Sequence, residues 1–383
     1  MKKLSRNTFL KIAGLTSIAG TLAACGDTSS TSSAATAGTT DTATQDEAAS
    51  LGTVVFGIHS GGSANASGFA LSQMGFDEKY NFVGELIVSD GPSIYASVTA
   101  GEMQAGYLGN GMAWHYFEPD GALSLLTLDA ISDDEKLLIR NSISIAPDGE
   151  ASLDELYAVL PGLTLTVDLT TTPGTFLKSL LDIVNEGRDS QLWFDDIDGA
   201  YPSKGSEDKQ VIIMNTTNSN ATAAMQDTSI DGCIVYGNVS VALMEDPELS
   251  LISSPAMHLG DQAIPNTWCV NTEWALANPE LCLAFTNAML DAFDYRADVN
   301  NREHLIELAM DFDQLGYDDY IFPSWYLTSA ELKEFFATED GDGYMYLQNI
   351  YNSHVGTNGL TEDNMKTIDE AYLGDFVAEA CAD

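Results

Sequence analysis

Short apolar runs recur along the chain after residue 50 and alternate with segments of helical periodicity. Most of these runs are bounded by glycine, serine, asparagine or proline, which is typical of buried parallel strands. The pattern predicts strands at residues 53–58, 86–89, 105–108, 163–167, 211–214, 232–235, 249–252 and 267–270. Strands that alternate with helices along a chain predict an α/β fold.

The clearest helical pattern follows Asn278 and Pro279, which predict a helix cap and a first helical turn. Beyond them, apolar residues recur at the spacing of one helix face: Leu281, Phe285, Ala288, Met289 and Ala292. This spacing predicts a helix that packs against a core along that face.

The folded part of the chain is expected to divide into two lobes. It runs from residue 51 to residue 383, which exceeds the roughly 250–300 residues at which single hydrophobic cores stop growing. Proline and glycine interrupt the pattern near residues 146–152, and two prolines mark residues 253–265. We therefore expect lobe I to comprise residues 51–147 plus 264–383, and lobe II residues 148–263. Two crossings between lobes form a hinge that can close on a ligand.

The N-terminus carries signals of export and lipid attachment. Basic residues precede an apolar stretch that is too short, and too rich in small residues, to span a membrane. The stretch ends in Leu-Ala-Ala before Cys25, which resembles the lipobox of bacterial lipoproteins. We expect a signal peptide at residues 1–24, diacylation of Cys25, and a flexible tether at residues 25–50. An ordinary secretory signal with a chance cysteine is the alternative.

The charge of the chain excludes some partners. The sequence has 57 acidic and 15 basic residues, so nucleic acid and anionic membrane surfaces are repelled rather than bound. The membrane is therefore expected as a partner only through the lipid on Cys25, and the mature protein is expected outside the cytoplasm. Neither the histidines nor the cysteines after Cys25 have metal-ligand spacing, so no metal and no cofactor are expected. A disulfide between two of these cysteines is possible, and the sequence does not choose the partners.

Four predicted strands end in loops of small polar residues, and these loops supply most candidate ligand-binding residues. In open α/β sheets, ligands bind outside the carboxyl ends of strands, where backbone amides, hydroxyls and side-chain amides converge. The candidates are Ser60, Gly61, Ser63, Asn65, Gly109, Asn110, Trp114, Thr171, Thr172, Thr175, Asn218, Tyr236, Asn238 and Trp268. The aromatic candidates could stack on a ring of the ligand, or could equally pack in the core.

The threonine-rich loop leads into a predicted helix over residues 170–181. Free amides and the dipole at the start of a helix favour a carboxylate, sulfonate or phosphate. Capping of the helix by the Thr172 side chain, with no ligand, is the alternative.

In their order, these features resemble the solute-binding proteins of ABC importers for sulfonates, taurine, nitrate and related compounds, a family that includes pyrimidine-precursor binders. Residues 100–106 resemble the family pattern A-G-x-x-D-x-G, with Gln104 in place of the usual acid. Residues 231–236 and 278–280 are similar to later family segments, and the resemblance covers most of residues 51–310. It implies a type II periplasmic-binding-protein fold, an ABC permease as partner, and no catalysis. We also expect a monomer.

The ligand class stays open at the level of sequence. Sulfonate and nitrate binders often place a basic side chain near the anion, yet none of the four loops contains lysine or arginine. An anion would rely on amides, hydroxyls and His59 or His115. A neutral or zwitterionic ligand, including a planar nitrogen heterocycle, fits as well. We expect a small polar or anionic molecule, held in the cleft between the lobes.

Two other functions use the same fold. A surface sensor or adhesin could reuse the binding lobes, and the sequence does not separate it from a transport receptor. An enzyme similar to a pyrimidine-forming synthase would carry a cysteine-rich iron motif, which this sequence lacks. The export signal also argues against that enzyme.

Overall fold

The structure is a computed structural model that describes residues 50–59, 66–143, 151–313, 324–338 and 341–382. Its strands are β1 (Thr53–His59), β2 (Val83–Ser89), β3 (Ala105–Leu108), β4 (Leu123–Ile131), β5 (Lys136–Arg140), β6 (Thr164–Val167), β7 (Phe194–Asp196), β8 (Gly199–Tyr201), β9 (Ile212–Asn215), β10 (Gly232–Val235), β11 (Leu249–Ser253), β12 (Asn266–Asn271) and β13 (Trp325–Tyr326).

These strands form two mixed sheets and a small hairpin. The sheet of lobe I has the order β13-β4-β12-β3-β1-β2, the sheet of lobe II has the order β11-β5-β10-β6-β9, and β7 pairs with β8. In the sheet of lobe I, β12 runs antiparallel to β3 and β4, and in the sheet of lobe II, β5 runs antiparallel to β10 and β11. Each of these is the first strand after the chain passes from the other sheet. In both sheets, the strand that follows a crossing therefore runs antiparallel to its neighbours.

The helices cover the faces of the two sheets. They are α1 (Ala66–Gln73), α2 (Phe76–Lys79), α3 (Gly91–Thr99), α4 (Leu153–Val159), α5 (Thr172–Asn185), α6 (Ala221–Ala224), α7 (Gly237–Met244), α8 (Pro255–His258), α9 (Thr272–Ala277), α10 (Pro279–Ala297), α11 (Arg302–Asp313), α12 (Ser329–Phe335), α13 (Asp342–His354), α14 (Ile368–Ala371) and α15 (Gly374–Ala380). Capping boxes fix the starts of α4, α12 and α14, where a hydroxyl and a glutamate satisfy free amides reciprocally. Within the described residues, no helix is long and apolar enough to cross a membrane.

All eight predicted strands are present, and the α/β prediction is confirmed. The predicted helix is α10, which begins at Pro279 and buries Leu281, Phe285 and Met289 on one face. Asn278 does not cap it with its side chain, which donates instead to the Trp274 carbonyl of the preceding helix at 2.9 Å. The four cysteines of the described residues are free thiols, and Cys233 and Cys269 are buried.

The structure places the first crossing earlier than the sequence pattern does. Strand β5 pairs with β10 and β11 in the sheet of lobe II, although the predicted boundary near residues 146–152 assigns it to lobe I. The chain thus leaves lobe I at residues 132–135, an acidic run between two apolar strands. The second crossing, residues 254–265, connects β11 to β12.

A buried ion pair and its hydrogen bonds join four elements of lobe I. Arg296 of α10 binds the Asp129 carboxylate of β4, and both side chains are fully buried. Trp268 of β12 donates its indole N–H to the same carboxylate at 2.6 Å, and the Ser67 hydroxyl donates to it at 3.0 Å. Charges taken out of water must be matched in this way, because the penalty for an unmatched one is several kcal/mol.

Replacing Arg296 by methionine leaves the Asp129 charge buried without its guanidinium. We expect Arg296→Met to lower the free energy of unfolding by about 3–5 kcal/mol in urea titrations. The matched control is Lys79→Met, which removes a surface ion pair with Asp291 whose lysine side chain is 56% exposed. The control should cost less than about 1 kcal/mol. Equal effects of the two substitutions would contradict a structural role for the buried pair.

Candidate functional site

A cavity of about 650 Å³ lies between the two lobes. Lobe I contributes residues from the ends of β1 and β3 and from the start of α3, whereas lobe II contributes the start of α5 and the end of β10. The first crossing contributes Ser132, Asp134 and Glu135. A cavity of this size matches the volumes in which small molecules are bound. The predicted meeting of strand ends at one cleft is therefore what the structure displays for β3, β6 and β10.

Beside this cavity, the two lobes are in contact through backbone atoms. A Cβ atom at Gly111 of lobe I would lie 2.6 Å from the Thr171 carbonyl carbon and 2.8 Å from the Thr172 amide nitrogen of lobe II. No real side chain tolerates such distances, so glycine is required for this approach. On another wall of the cavity, the Asn358 amide donates to the Asp198 carboxylate, which lies between β7 and β8, at 3.1 Å.

The start of α5 has little capacity left for an anion. Pro173 has no N–H, and the Gly174 amide donates to the carbonyls of Asp168 at 3.2 Å and of Thr171 at 3.0 Å. The Thr175 amide donates to the Thr171 carbonyl at 3.3 Å. The backbone of Gly111 lies close to the Thr172 amide, since a Cβ atom at Gly111 would be 2.8 Å from its nitrogen. The side chain of the N-cap residue, Thr171, makes no capping hydrogen bond, so capping by threonine is not found either.

The start of α3, which also lines the cavity, carries its own negative charge. The Asp90 carboxylate accepts from the Ser93 amide at 2.8 Å and from the Ser93 hydroxyl at 2.9 Å. Pro92 lies in the first turn and offers no N–H. A helix start that a carboxylate already occupies repels a second anion.

One wall of the cavity is a stack of three rings. The Tyr95 ring lies 3.5 Å from the His115 ring at an interplanar angle of 18°, and Trp114 lies against the same imidazole at 3.5 Å. The Glu118 carboxylate lies 3.0 Å from His115 Nδ1 and accepts from the Tyr95 hydroxyl at 3.3 Å. Burial lowers the pKa of His115 more than Glu118 raises it. The stack therefore offers a fixed aromatic surface with an uncharged imidazole at neutral pH.

The lining of the cavity is rich in carboxylates. Asp90, Asp134, Glu135, Asp196 and Asp198 all line it, and Lys178 of α5 is the single lysine or arginine among the described lining residues. Lys178 is already paired, since its ammonium group lies 2.6 Å from the Asp196 carboxylate. Glu135 is 3% exposed and Asp134 is 9% exposed. Burial raises the pKa of Glu135 against the opposing effect of the Thr172 and Ser132 hydroxyls.

Six of the predicted site residues line the cavity: Gly109, Trp114, Thr171, Thr172, Thr175 and Tyr236. Asn110 is buried beside it and bonds to the second crossing, where its amide side chain donates to the Ile264 carbonyl at 3.1 Å. Asn218 binds the backbone of Tyr236 with its side chain. Its amide oxygen accepts from the Tyr236 N–H at 3.1 Å, and its amide nitrogen donates to the Tyr236 carbonyl at 3.3 Å. Ser60, Gly61, Ser63, Asn65 and Cys25 lie outside the described residues.

The structure separates two predicted residues from the cavity. Trp268 is fully buried in the core of lobe I, where Asp129 accepts its indole N–H, so it has no face to offer a ligand. Asn238 lies in the first turn of α7 and is absent from the lining. The prediction that these two residues contact the ligand therefore does not fit the geometry.

Sequence reasoning missed the acids, the lysine and two tyrosines of the lining. Lys178 follows Thr175 by three residues and thus shares its helix face, a spacing that could have indicated it. Asp134 and Glu135 lie in the acidic run that marks the first crossing. Tyr95 and Tyr107 gave no signal, because one lies inside a helix and the other inside a strand.

Comparisons with known proteins come from structure alone. No protein-family model matches the sequence, and no curated protein matches it. The periplasmic aliphatic sulphonate-binding protein SsuA of Escherichia coli superposes with a TM-score of 0.60 at 13% identity, over 83% of this chain and 91% of that one. The periplasmic nitrate-binding protein NrtA of Synechocystis PCC 6803 gives 0.57 at 12% identity, over 86% and 88%.

The strand order and these superpositions indicate the same fold. The chain has the type II periplasmic-binding-protein fold. The desulfurization enzyme DSZB also shares it, with a TM-score of 0.58 at 13% identity over 86% of this chain and 98% of that one. The fold therefore hosts both binding proteins and at least one enzyme, and function has to be argued from the site.

His354, which also lines the cavity, links the stability of the protein to pH. Its Nε2–H donates to the Asn110 carbonyl at 3.0 Å, and burial lowers the pKa of this imidazole to about 3. At pH values between about 3 and 6.5, His354 is protonated in the unfolded chain but neutral in the native chain. This contribution to stability is therefore complete above pH 6.5 and is lost as the pH falls.

Substitution of His354 by glutamine removes this titration while keeping a donor for Asn110. We expect the free energy of unfolding of the wild type to fall relative to His354→Gln by about 2 kcal/mol between pH 7.5 and pH 5. Urea titrations at both pH values measure the difference. His304→Gln, at an exposed histidine, is the control. A pH dependence that is the same for the wild type and His354→Gln would show that this imidazole is not held neutral.

Proposed function

We propose that this chain is the extracytoplasmic solute-binding component of an importer, which captures a small molecule between its two lobes. The observation that carries the proposal is the cavity of about 650 Å³, whose walls come from both lobes and from the crossing between them. Movement about two crossings would open and close such a cavity. The likeness in fold to SsuA and NrtA, which bind sulfonates and nitrate, supports the same type of function here.

Transport would follow from delivery to a membrane permease of the ABC class. The lipobox-like sequence before Cys25 supports a lipid anchor, and the polar residues after it would serve as a tether between the membrane and the lobes. We expect the binding protein to act as a monomer. A surface sensor would share these features and would differ in having no permease partner, so isolation of a complex with permease and ATPase subunits separates the two.

An enzymatic function is the second candidate, since DSZB shares the fold. The cysteines of the described residues do not favour it. Burial raises the pKa values of Cys233, Cys269 and Cys282 to about 12, which keeps these thiols protonated and poorly nucleophilic. No cysteine belongs to the described lining of the cavity. These observations support binding without covalent chemistry.

Capture between lobes predicts that Gly111→Ala weakens binding. Its methyl group would overlap the backbone of Thr171 and Thr172, so the lobes could not reach the described distance. Protein purified without refolding should retain a small molecule in native mass spectrometry, and its return to the emptied protein should raise the melting temperature. In Gly111→Ala, we expect the affinity for that molecule to fall by about tenfold or more.

The same exchange at Gly84 is the matched control. A Cβ atom there would lie 3.4 Å or more from its neighbours, an ordinary contact distance, so Gly84→Ala should bind as the wild type does. If the wild type neither retains a small molecule nor responds to any fraction of growth-medium extract, the receptor function is wrong. Equal binding by wild type and Gly111→Ala would place the ligand outside the interlobe contact.

The lipid anchor has its own test. Expressed from its full sequence, the protein should partition into the detergent phase of a Triton X-114 separation, because two acyl chains provide stable anchoring. Cys25→Ser should move it to the aqueous phase. Aqueous behaviour of both forms would contradict lipidation at Cys25.

A further inference from the structure

The cavity has the wrong charge for the anions that its structural neighbours bind. Five carboxylates line it, whereas Lys178 is its single described lysine or arginine. Every lysine and arginine beyond residue 11 lies within the described part of the chain. No undescribed loop can therefore add a basic side chain to this lining. Lys178 is itself neutralised by Asp196 at 2.6 Å.

Two helix starts at the cavity that could replace a basic side chain are largely occupied. Asp90 caps α3, and the Gly174 and Thr175 amides of α5 donate to backbone carbonyls. An anion placed at either of these starts would lose its hydration and gain few hydrogen bonds, which is unfavourable.

Glu135 is a buried acid that no described cation pairs with. It is 3% exposed, and its partners are hydroxyls: Ser132 donates to it at 3.2 Å, and Thr172 from lobe II also bonds to it. The nearest candidate, Lys136, is bound to Asp133 at 2.7 Å instead. A buried carboxylate is costly unless it is paired, so a positive charge in the cavity would stabilise the ionised form of Glu135.

A second polar group of the cavity has no hydrogen-bond partner among the described residues. Tyr107 is 1% exposed and lines the cavity, yet its hydroxyl makes no hydrogen bond within the described chain. Burial raises the pKa of this hydroxyl well above its ordinary value, and Asp129 and Asp134 add to the effect. Burial, Asp168, Glu135 and Asp134 likewise raise the pKa of Tyr236 to about 12. Tyr107 from lobe I and Tyr236 from lobe II line the same cavity as Asp134 and Glu135.

From this arrangement we propose that the ligand carries a positively charged nitrogen, as a protonated amine, an amidinium or a basic heterocycle. Its N–H groups donate to the carboxylates of Glu135 and Asp134 and to the unpartnered Tyr107 hydroxyl. The rings of Tyr236 and Trp114 provide the remaining contacts, since aromatic faces attract cations. The proposal rests on the proposed receptor function and names the class of its ligand, in contrast to sulfonates and nitrate.

Matched probes test the sign of the charge directly. Propylamine is compared with propane-1-sulfonate, and benzamidine with benzoate, at equal ionic strength in a buffer free of amines and sulfonates. Nitrate is added as a further anion. Melting temperature and isothermal titration calorimetry report binding. We expect the two cations to bind and the three anions not to. Glu135→Gln should weaken the binding of benzamidine by about tenfold or more, and Asp134→Asn should weaken it as well.

Substitution of Lys178 should have opposite effects on the binding of cationic and anionic ligands. With a cationic probe, Lys178→Gln should tighten binding several-fold, because Asp196 loses its partner and adds to the negative charge of the cavity. With an anionic ligand, the same substitution should abolish binding. Glu102→Gln, at an exposed acid outside the cavity, is the control for a change of one charge unit.

Tighter binding of the anions, or binding of neither series, would overturn the proposal. A retained natural ligand without a basic nitrogen would also overturn it, while leaving the receptor function in place. Failure of the receptor function is different, because the protein would then retain nothing and respond to no extract fraction.

Discussion

The Asp133 carboxylate joins the two segments through which the chain passes between its sheets. One oxygen accepts from the Ala256 amide of the second crossing at 2.7 Å, and the other binds Lys136 at the start of β5, also at 2.7 Å. Because the crossings are tied to each other, the two lobes share one pivot. The junction lies next to the cavity, because Ser132, Asp134 and Glu135 of the same run belong to the lining.

The same junction explains why the cavity is acidic. The run at residues 132–135 has to leave one sheet and enter the next, and its acids have different surroundings. Asp133 is used for the junction itself, whereas Asp134 and Glu135 reach the cavity lining. The hydroxyl of Ser132 in the same crossing and that of Thr172 in lobe II then bind Glu135. A ligand that binds Glu135 would thus bind at the pivot, where contact with both lobes is gained together.

The sequence predicts the architecture better than the site, for physical reasons. Buried strands such as β3 and β10 are apolar runs between loop-forming residues, and this local property can be read along the chain. The pattern does not predict β4 and β5, because acids rather than glycine or proline separate them. The surroundings of a side chain depend on which other elements pack around its strand, and this cannot be read along the chain. Tyr107 and Trp268 are paired neighbours in β3 and β12, yet the first lines the cavity and the second is bound by Asp129 in the core.

A crystal structure of the protein purified with its retained small molecule tests the account most directly. We expect closed lobes with Gly111 against Thr171, and a basic nitrogen of the ligand within hydrogen-bond distance of Glu135 and the Tyr107 hydroxyl. A ligand whose anionic group contacts Lys178 of α5, or one bound away from the interlobe cavity, would contradict this expectation.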